Sequence, residues 1–148
     1  MMTKSRKSQK KPTPAFERPW IDAFPYRSLA SRTQNPATAD AELRAFLPGG
    51  CVVAYIDELD RTHVMEGRVY GLTAGGRPLL IGYQVEHGLV REHVWKAIER
   101  VDRIFILERD VQLVDRTAPS QHASRFTEIF ALAPNTALDL TKHEAEGY

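Results

Sequence analysis

Between Gly50 and Asp115 the chain alternates short β-branched and aromatic runs with clusters of glycine and polar residues, the rhythm of strands joined by tight turns. Cys51 to Ile56 is such a run, Asp57 to Thr62 is a polar turn, and His63 to Leu72 alternates in part. Val64, Gly67, Val69 and Gly71 break any helical period there, so the two runs predict a hairpin. Ala74-Gly75-Gly76 marks the next turn and Pro78 to Val85 a third strand. A glycine inside that strand, Gly82, is expected where the strand bends sharply or another backbone comes close. After a turn at Glu86 to Gly88, Leu89 to Val101 fits a helical period and a strand alike; a strand followed by a short helical turn is the expectation. Ile104 to Leu107 predicts a further strand, which Val111 to Val114 would extend beyond a kink.

The flanks read differently. Residues 1–15 lack the apolar side chains that offset backbone ordering and predict a flexible basic arm. Phe16, Trp20, Ile21, Phe24 and Tyr26 are interleaved with Pro19 and Pro25, which exclude a regular helix or a central strand. This segment is expected to lie extended on the body, or against a partner. Thr38 or Asp40 would cap a helix of about two turns, with Ala39, Ala41, Leu43, Ala45 and Phe46 at its apolar positions and Pro48-Gly49-Gly50 at its end. Phe126, Ile129, Phe130 and Ala133 predict a second helix over Ser124 to Ala133, stopped by Pro134. The expected organisation is therefore an arm (1–15), an aromatic segment with a short helix (16–48), a small β domain (49–115), a C-terminal helical region (116–134) and a polar tail (135–148).

Four or five short strands in about 65 residues predict a mainly β (α+β) fold. Its expected form is a small, strongly bent SH3/Sm-like barrel, partly open, with one or two flanking short helices. Edges in such a fold are closed or paired with another subunit, so a homo-oligomer is one expected state.

Composition agrees with one globular core: 148 residues, 43% hydrophobic and 26% charged. The lone Cys51 cannot form an intramolecular disulfide, which points to a reducing compartment, and it opens an apolar run where a small buried residue is expected. No apolar stretch approaches the roughly 18 residues of a membrane span, and no apolar segment follows the charged N-terminus as in a secretory signal. A cytoplasmic protein with no membrane partner is the expectation. The net charge of +1 hides an asymmetry, because the first eleven residues hold Lys4, Arg6, Lys7, Lys10 and Lys11 and no acid, leaving −4 on the other 137. Any affinity for nucleic acid would lean on that arm or on a local patch.

The order of features in the central region resembles a WYL-type domain, a small barrel related to the Sm and SH3-like folds. The resemblance rests on Tyr55-Ile56-Asp57 closing a first strand and Gly67-Arg68-Val69 in a second. It continues through a Gly-Gly turn, Leu79-Leu80-Ile81-Gly82-Tyr83, and Arg100-Val101-Asp102-Arg103-Ile104 before a closing strand. It covers about 60 of the 148 residues. The tripeptide that names the family falls on Pro78-Leu79-Leu80, which keeps one leucine, and no helix-turn-helix pattern precedes the barrel. The resemblance implies a sensory or adaptor module that binds a nucleotide-like ligand or single-stranded nucleic acid. Arginines on a concave β surface meet phosphate bidentately, and an aromatic ring offers a base a stacking face. Arg91, Arg100 and Arg103 with Tyr83 and Trp95 are the candidate ligand-binding residues.

Catalytic chemistry is weakly signalled. Gly75-Gly76-Arg77 is too short for a phosphate loop and precedes a strand. The histidines His63, His87, His93, His122 and His143 include no i, i+4 pair; His87 and His93 beside Glu86 and Glu92 would make a metal site only if a hairpin brought them together. Ser120, His122 and Asp115 carry no sign of an oriented triad, and Glu58 and Asp60 fall in a turn, where Asp commonly caps the backbone. No catalytic residue, metal ligand or cofactor is assigned. The expectation is a binding module, with a protein-interaction subunit as the alternative.

Overall fold

A computed structural model describes residues 33–84 and 94–141. The basic arm, the Phe16 to Tyr26 segment, the turn at Glu86 to Gly88, Arg91 and the His87/His93 region lie outside the described residues. At the centre is β1 (Cys51–Ile56), buried along its whole length. Its unbroken apolar run suits a strand flanked on both sides, and it pairs antiparallel with β2 (Thr62–Thr73) and β5 (Ile104–Arg109). Beyond β2 come β3 (Pro78–Gln84) and β4 (Val94–Ile98), giving the order β4-β3-β2-β1-β5. The fold is thus mainly β, as expected. No described pairing joins β4 to β5, so the sheet is open there.

The twelve-residue β2 organises this sheet. Its first half, Thr62 to Glu66, lies beside β1, and from Val69 onward the same edge is taken by β7 (Phe126–Leu132). At the changeover the register against β3 slips, Gly67 facing Gly82 and Val69 facing Ile81, so Arg68 is a bulged residue. Gly82 answers the expectation of close approach: a Cβ there would lie 2.5 Å from Met65 Sδ and 2.6 Å from the Glu66 carbonyl.

The strand β7 corrects the helix expected over Ser124 to Ala133. Helical structure in this region is confined to α2 (Ser120–Ala123). The pairing is irregular: two bulges leave Phe130 and Thr127 without an opposite residue on β2, and Ile129, an apolar position of the expected helix, is exposed. Tertiary pairing with the free edge of β2 decides the outcome. The region expected as a polar tail contributes β8 (Thr136–Leu138), which runs parallel to β6 (Arg116–Ala118). Val111 to Val114 does not prolong β5 as a strand; Asp110, at φ 57°, turns the chain, and the Val111 N–H donates to the Gly50 carbonyl at 3.0 Å.

The first helix among the described residues, α1 (Pro36–Phe46), begins two residues before Thr38. Asn35 caps it by accepting from the Ala37 N–H at 2.8 Å, and Pro36 opens the first turn. Ala39 and Leu43 are buried against the sheet with Leu47. Tyr70 donates to Asp40 at 2.6 Å, and the Arg44 guanidinium sits 3.8 Å from the centre of the Phe130 ring. These contacts fix the helix across β2 and β7. Its N-terminal approach is held by the Gln34 N–H, which donates to the Asp102 carbonyl at 2.8 Å. Asp102 belongs to a 3₁₀ turn, Val101–Arg103, that links β4 to β5. Of the strand and helical turn expected over Leu89 to Val101, β4 and this turn fall within the described residues; residues 89–93 lie outside them. No helix among the described residues is long and apolar enough to cross a membrane.

Candidate functional site

Two groupings of charged side chains among the described residues stand out. The first is the Arg68 bulge. Arg68 and Glu66 are both fully buried, and Arg68 Nε and Nη2 donate to Glu66 Oε1 at 3.1 and 2.7 Å. The other hydrogen bonds of Arg68 go to the Val114, Pro134 and Asn135 carbonyls and to Thr136 Oγ1. Arg116 Nε adds a third donor to Glu66 Oε1 at 2.9 Å. Burial pulls the Arg68 guanidinium below its usual range, opposed by the charge and hydrogen bond of Glu66. The cluster fastens the chain around residues 114 and 134–136 to the middle of β2, a structural task.

The second place is a cleft of about 430 Å³ between the β1–β2 turn and the end of β4 with its 3₁₀ turn. Asp57 shapes the first wall. Its Oδ1 accepts from the backbone N–H groups of Leu59 and Arg61 at 2.8 and 2.9 Å, while Oδ2 accepts from Arg61 Nε at 3.0 Å and pairs with His63 Nε2 at 2.8 Å. Burial pushes its carboxyl pKa up, but the hydrogen bonds from His63, the two backbone amides and Arg61 outweigh that and hold it well below the usual carboxylate range. Asp60 follows in the left-handed region, at φ 62°. Apolar surface comes from Tyr55, Ile56, Leu59, Ala97 and Ile98. The Tyr55 hydroxyl donates to Gln84 Oε1 at 2.6 Å, and its ring stacks on His63 with centroids 4.9 Å apart.

Arg100 and Arg103 line the opposite wall. Arg100 is 62% exposed and makes a two-pronged contact with Asp102, at 2.9 and 2.7 Å. Arg103 is only 13% exposed; its Nη2 donates to Asp60 Oδ1, in the β1–β2 turn, at 2.7 Å. Its Nε is buried with no hydrogen-bond partner, the one such side-chain atom among the described residues. Such an orphan donor is costly to leave unmet and marks a place where an acceptor is wanted.

Of the five residues proposed from sequence, the structure brings Arg100 and Arg103 to one cleft. Tyr83 and Trp95 lie elsewhere, opposite each other on β3 and β4, edge to face with centroids 5.4 Å apart. The Arg116 guanidinium covers Tyr83 at 3.7 Å from the ring centre, and Trp95 packs on the Val69, Leu79 and Ile81 cluster. Arg91 and the basic arm lie outside the described residues. The aromatic in the cleft is Tyr55, which sequence reasoning placed in a strand without a role; its position before the Asp57 turn was the available signal. Cys51 is fully buried, and burial pushes its thiol up to about 12, as suits an inert core residue. Among the described residues no three metal-binding side chains come together. No known family, curated protein or solved structure matches the chain.

Proposed function

We propose that the chain is a non-enzymatic regulatory or adaptor module that binds a small anionic, nucleotide-like ligand in the cleft beneath Arg103. The observation that carries this is the orphan Nε of Arg103 in a wall that also presents Arg100. A phosphate or carboxylate oxygen supplies the missing acceptor and forms charge-assisted hydrogen bonds with a guanidinium. The side chains lining the cleft include no serine, cysteine, lysine or histidine, which favours binding over nucleophilic catalysis there. Charge favours a small ligand over a nucleic-acid strand. Arg61, Arg100 and Arg103 are matched by Asp57, Glu58 and Glu99 around the cleft, so the positive surplus that a polyphosphate track needs is missing. Kinship with the small SH3/Sm-like barrels and WYL-type domains is part of the proposal. It is supported by a helix before β1, by a long β2 shared between two partners on one edge, and by the 3₁₀ turn between β4 and β5.

Calorimetric titration of adenosine monophosphate and of a short single-stranded oligonucleotide into the wild type, Arg103→Gln and Arg100→Gln tests this. The expected result is binding of the mononucleotide, weakened about tenfold or more by Arg103→Gln, with no gain from lengthening the strand. Binding that is absent, or indifferent to Arg103, contradicts it.

A second proposal, a protein-interaction subunit, is favoured by the strand edges. Among the described residues β4, β5 and β7 each pair on one side only, and β7 exposes Ile129 and Leu132. It requires a stable assembly, by light scattering, that nucleotides leave unchanged and that Leu132→Glu breaks.

A further inference from the structure

We infer that the β1–β2 turn and the cleft beside it form a self-complementary interface, in which a second copy of this chain seats its Leu59 in the cleft and receives this chain's Leu59 in its own. The inference does not rest on a nucleotide binding there. A ligand in the cleft and a partner's Leu59 exclude each other, so the unliganded chain is the one that pairs.

The turn holds a leucine in water. Leu59 is 71% exposed, the most exposed large apolar side chain among the described residues. A mobile loop folds such a residue away, but this turn is closed by two backbone hydrogen bonds: Asp57 N–H to the Arg61 carbonyl at 2.9 Å and Asp60 N–H to the Asp57 carbonyl at 3.0 Å. Asp57 Oδ1 ties down the Leu59 N–H itself, at 2.8 Å. The side chain is thus presented outward from a fixed place, and its apolar surface gains by leaving water. Immediately beside it, Ile56, Ala97 and Ile98 give the cleft an apolar lining, and a volume of about 430 Å³ has room for a leucine side chain.

Charge indicates what covers this face. Glu58 and Arg61 flank Leu59, and both line the cleft. Among the described residues Glu58 has no ion pair, and the Arg61 side chain, 66% exposed, is bonded through Nε alone, to Asp57. An acid and a base are therefore open on either side of one apolar side chain. A two-fold axis through this face sets Glu58 of each copy against Arg61 of the other, and each Leu59 against the other's cleft. In such a contact every interaction is made twice. A partner of a single charge sign satisfies half of the face, whereas a second copy carries both halves. The contact surface is two short turns and two clefts, the small end of protein interfaces, so the dimer is weak and reversible.

The test is sedimentation velocity of the full chain without nucleotide, over roughly 10 µM to 1 mM, as wild type, Leu59→Ser, Glu58→Arg and Leu132→Glu. Serine at position 59 keeps the backbone N–H that Asp57 holds, and neither the Leu59 nor the Glu58 side chain bonds within the turn, so its shape is retained. The expected result is a monomer–dimer equilibrium in the wild type, weakened about tenfold or more by Leu59→Ser because two apolar contacts go at once. Glu58→Arg sets two pairs of arginines face to face and weakens the dimer too, less so at high salt. Leu132→Glu, on β7, leaves it unchanged. A wild type that stays monomeric at the top of this range, a dimer indifferent to Leu59→Ser or to Glu58→Arg, or association that continues past the dimer overturns the inference.

Discussion

Glu66 and Arg68, two residues apart on β2, form an ion pair with no access to solvent, Arg68 Nη2 lying 2.7 Å from Glu66 Oε1. In a regular strand, residues two apart point to the same face of the sheet. The bulge at Arg68 falls where β1 has ended and β7 has begun, and the guanidinium uses that gap to reach the carbonyls of Val114, Pro134 and Asn135.

Replacement of Arg68 by methionine keeps much of the volume but strands a buried carboxylate on Arg116 alone and frees three carbonyls. Loss of one partner of a buried pair costs about 3–5 kcal/mol. Urea unfolding of Arg68→Met should show a loss of that order. A Glu66→Leu/Arg68→Met double variant should recover part of it, because the stranded charge goes too; a change below about 1 kcal/mol in the single variant would contradict the fastening role.

Gly71→Ala tests the pairing of β7 with β2. A Cβ at this position would lie 2.2 Å from the Glu128 carbonyl and 2.9 Å from Phe126, so the strands must separate. Destabilisation of about 1–3 kcal/mol is expected, with faster amide exchange along Phe126–Leu132. Unchanged exchange there would argue for the helix.

Asp57 predicts a specific acid response. Its folded pKa lies below the ordinary carboxyl value of 3.8, so its contribution to stability is present above that value and is lost as pH falls toward the folded pKa. Thermal melts of the wild type should fall more steeply below about pH 4 than those of Asp57→Asn. Parallel slopes would mean that the turn does not depend on the ionised carboxylate.

Much of the sheet was legible because the relevant residues act locally. The apolar run of β1, the Ala74-Gly75-Gly76 turn and Gly82 each carry their reason within a few positions. What was hidden is long-range. The helix-like spacing of Phe126, Ile129 and Phe130 is overridden by bulged pairing with β2, and Thr136–Leu138 is a strand beside Arg116–Ala118. At the site, the Arg100 to Ile104 motif located both cleft arginines. Tyr83 and Trp95 were poor partners for them because cross-strand pairing on β3 and β4 turns the two rings toward each other. The network of Arg68 was missed as well, although a Glu-Gly-Arg step inside an apolar strand is a visible signal of a buried pair.

The central claim is that an anionic ligand binds at Arg103, and amide chemical-shift mapping during titration with adenosine monophosphate tests it most directly. The account predicts saturable shifts confined to Asp57–Arg61 and Ala97–Ile104, abolished by Arg103→Gln, with Tyr83 and Trp95 silent. Shifts centred on the β3–β4 aromatic pair or on the basic arm, or none at all, would contradict it.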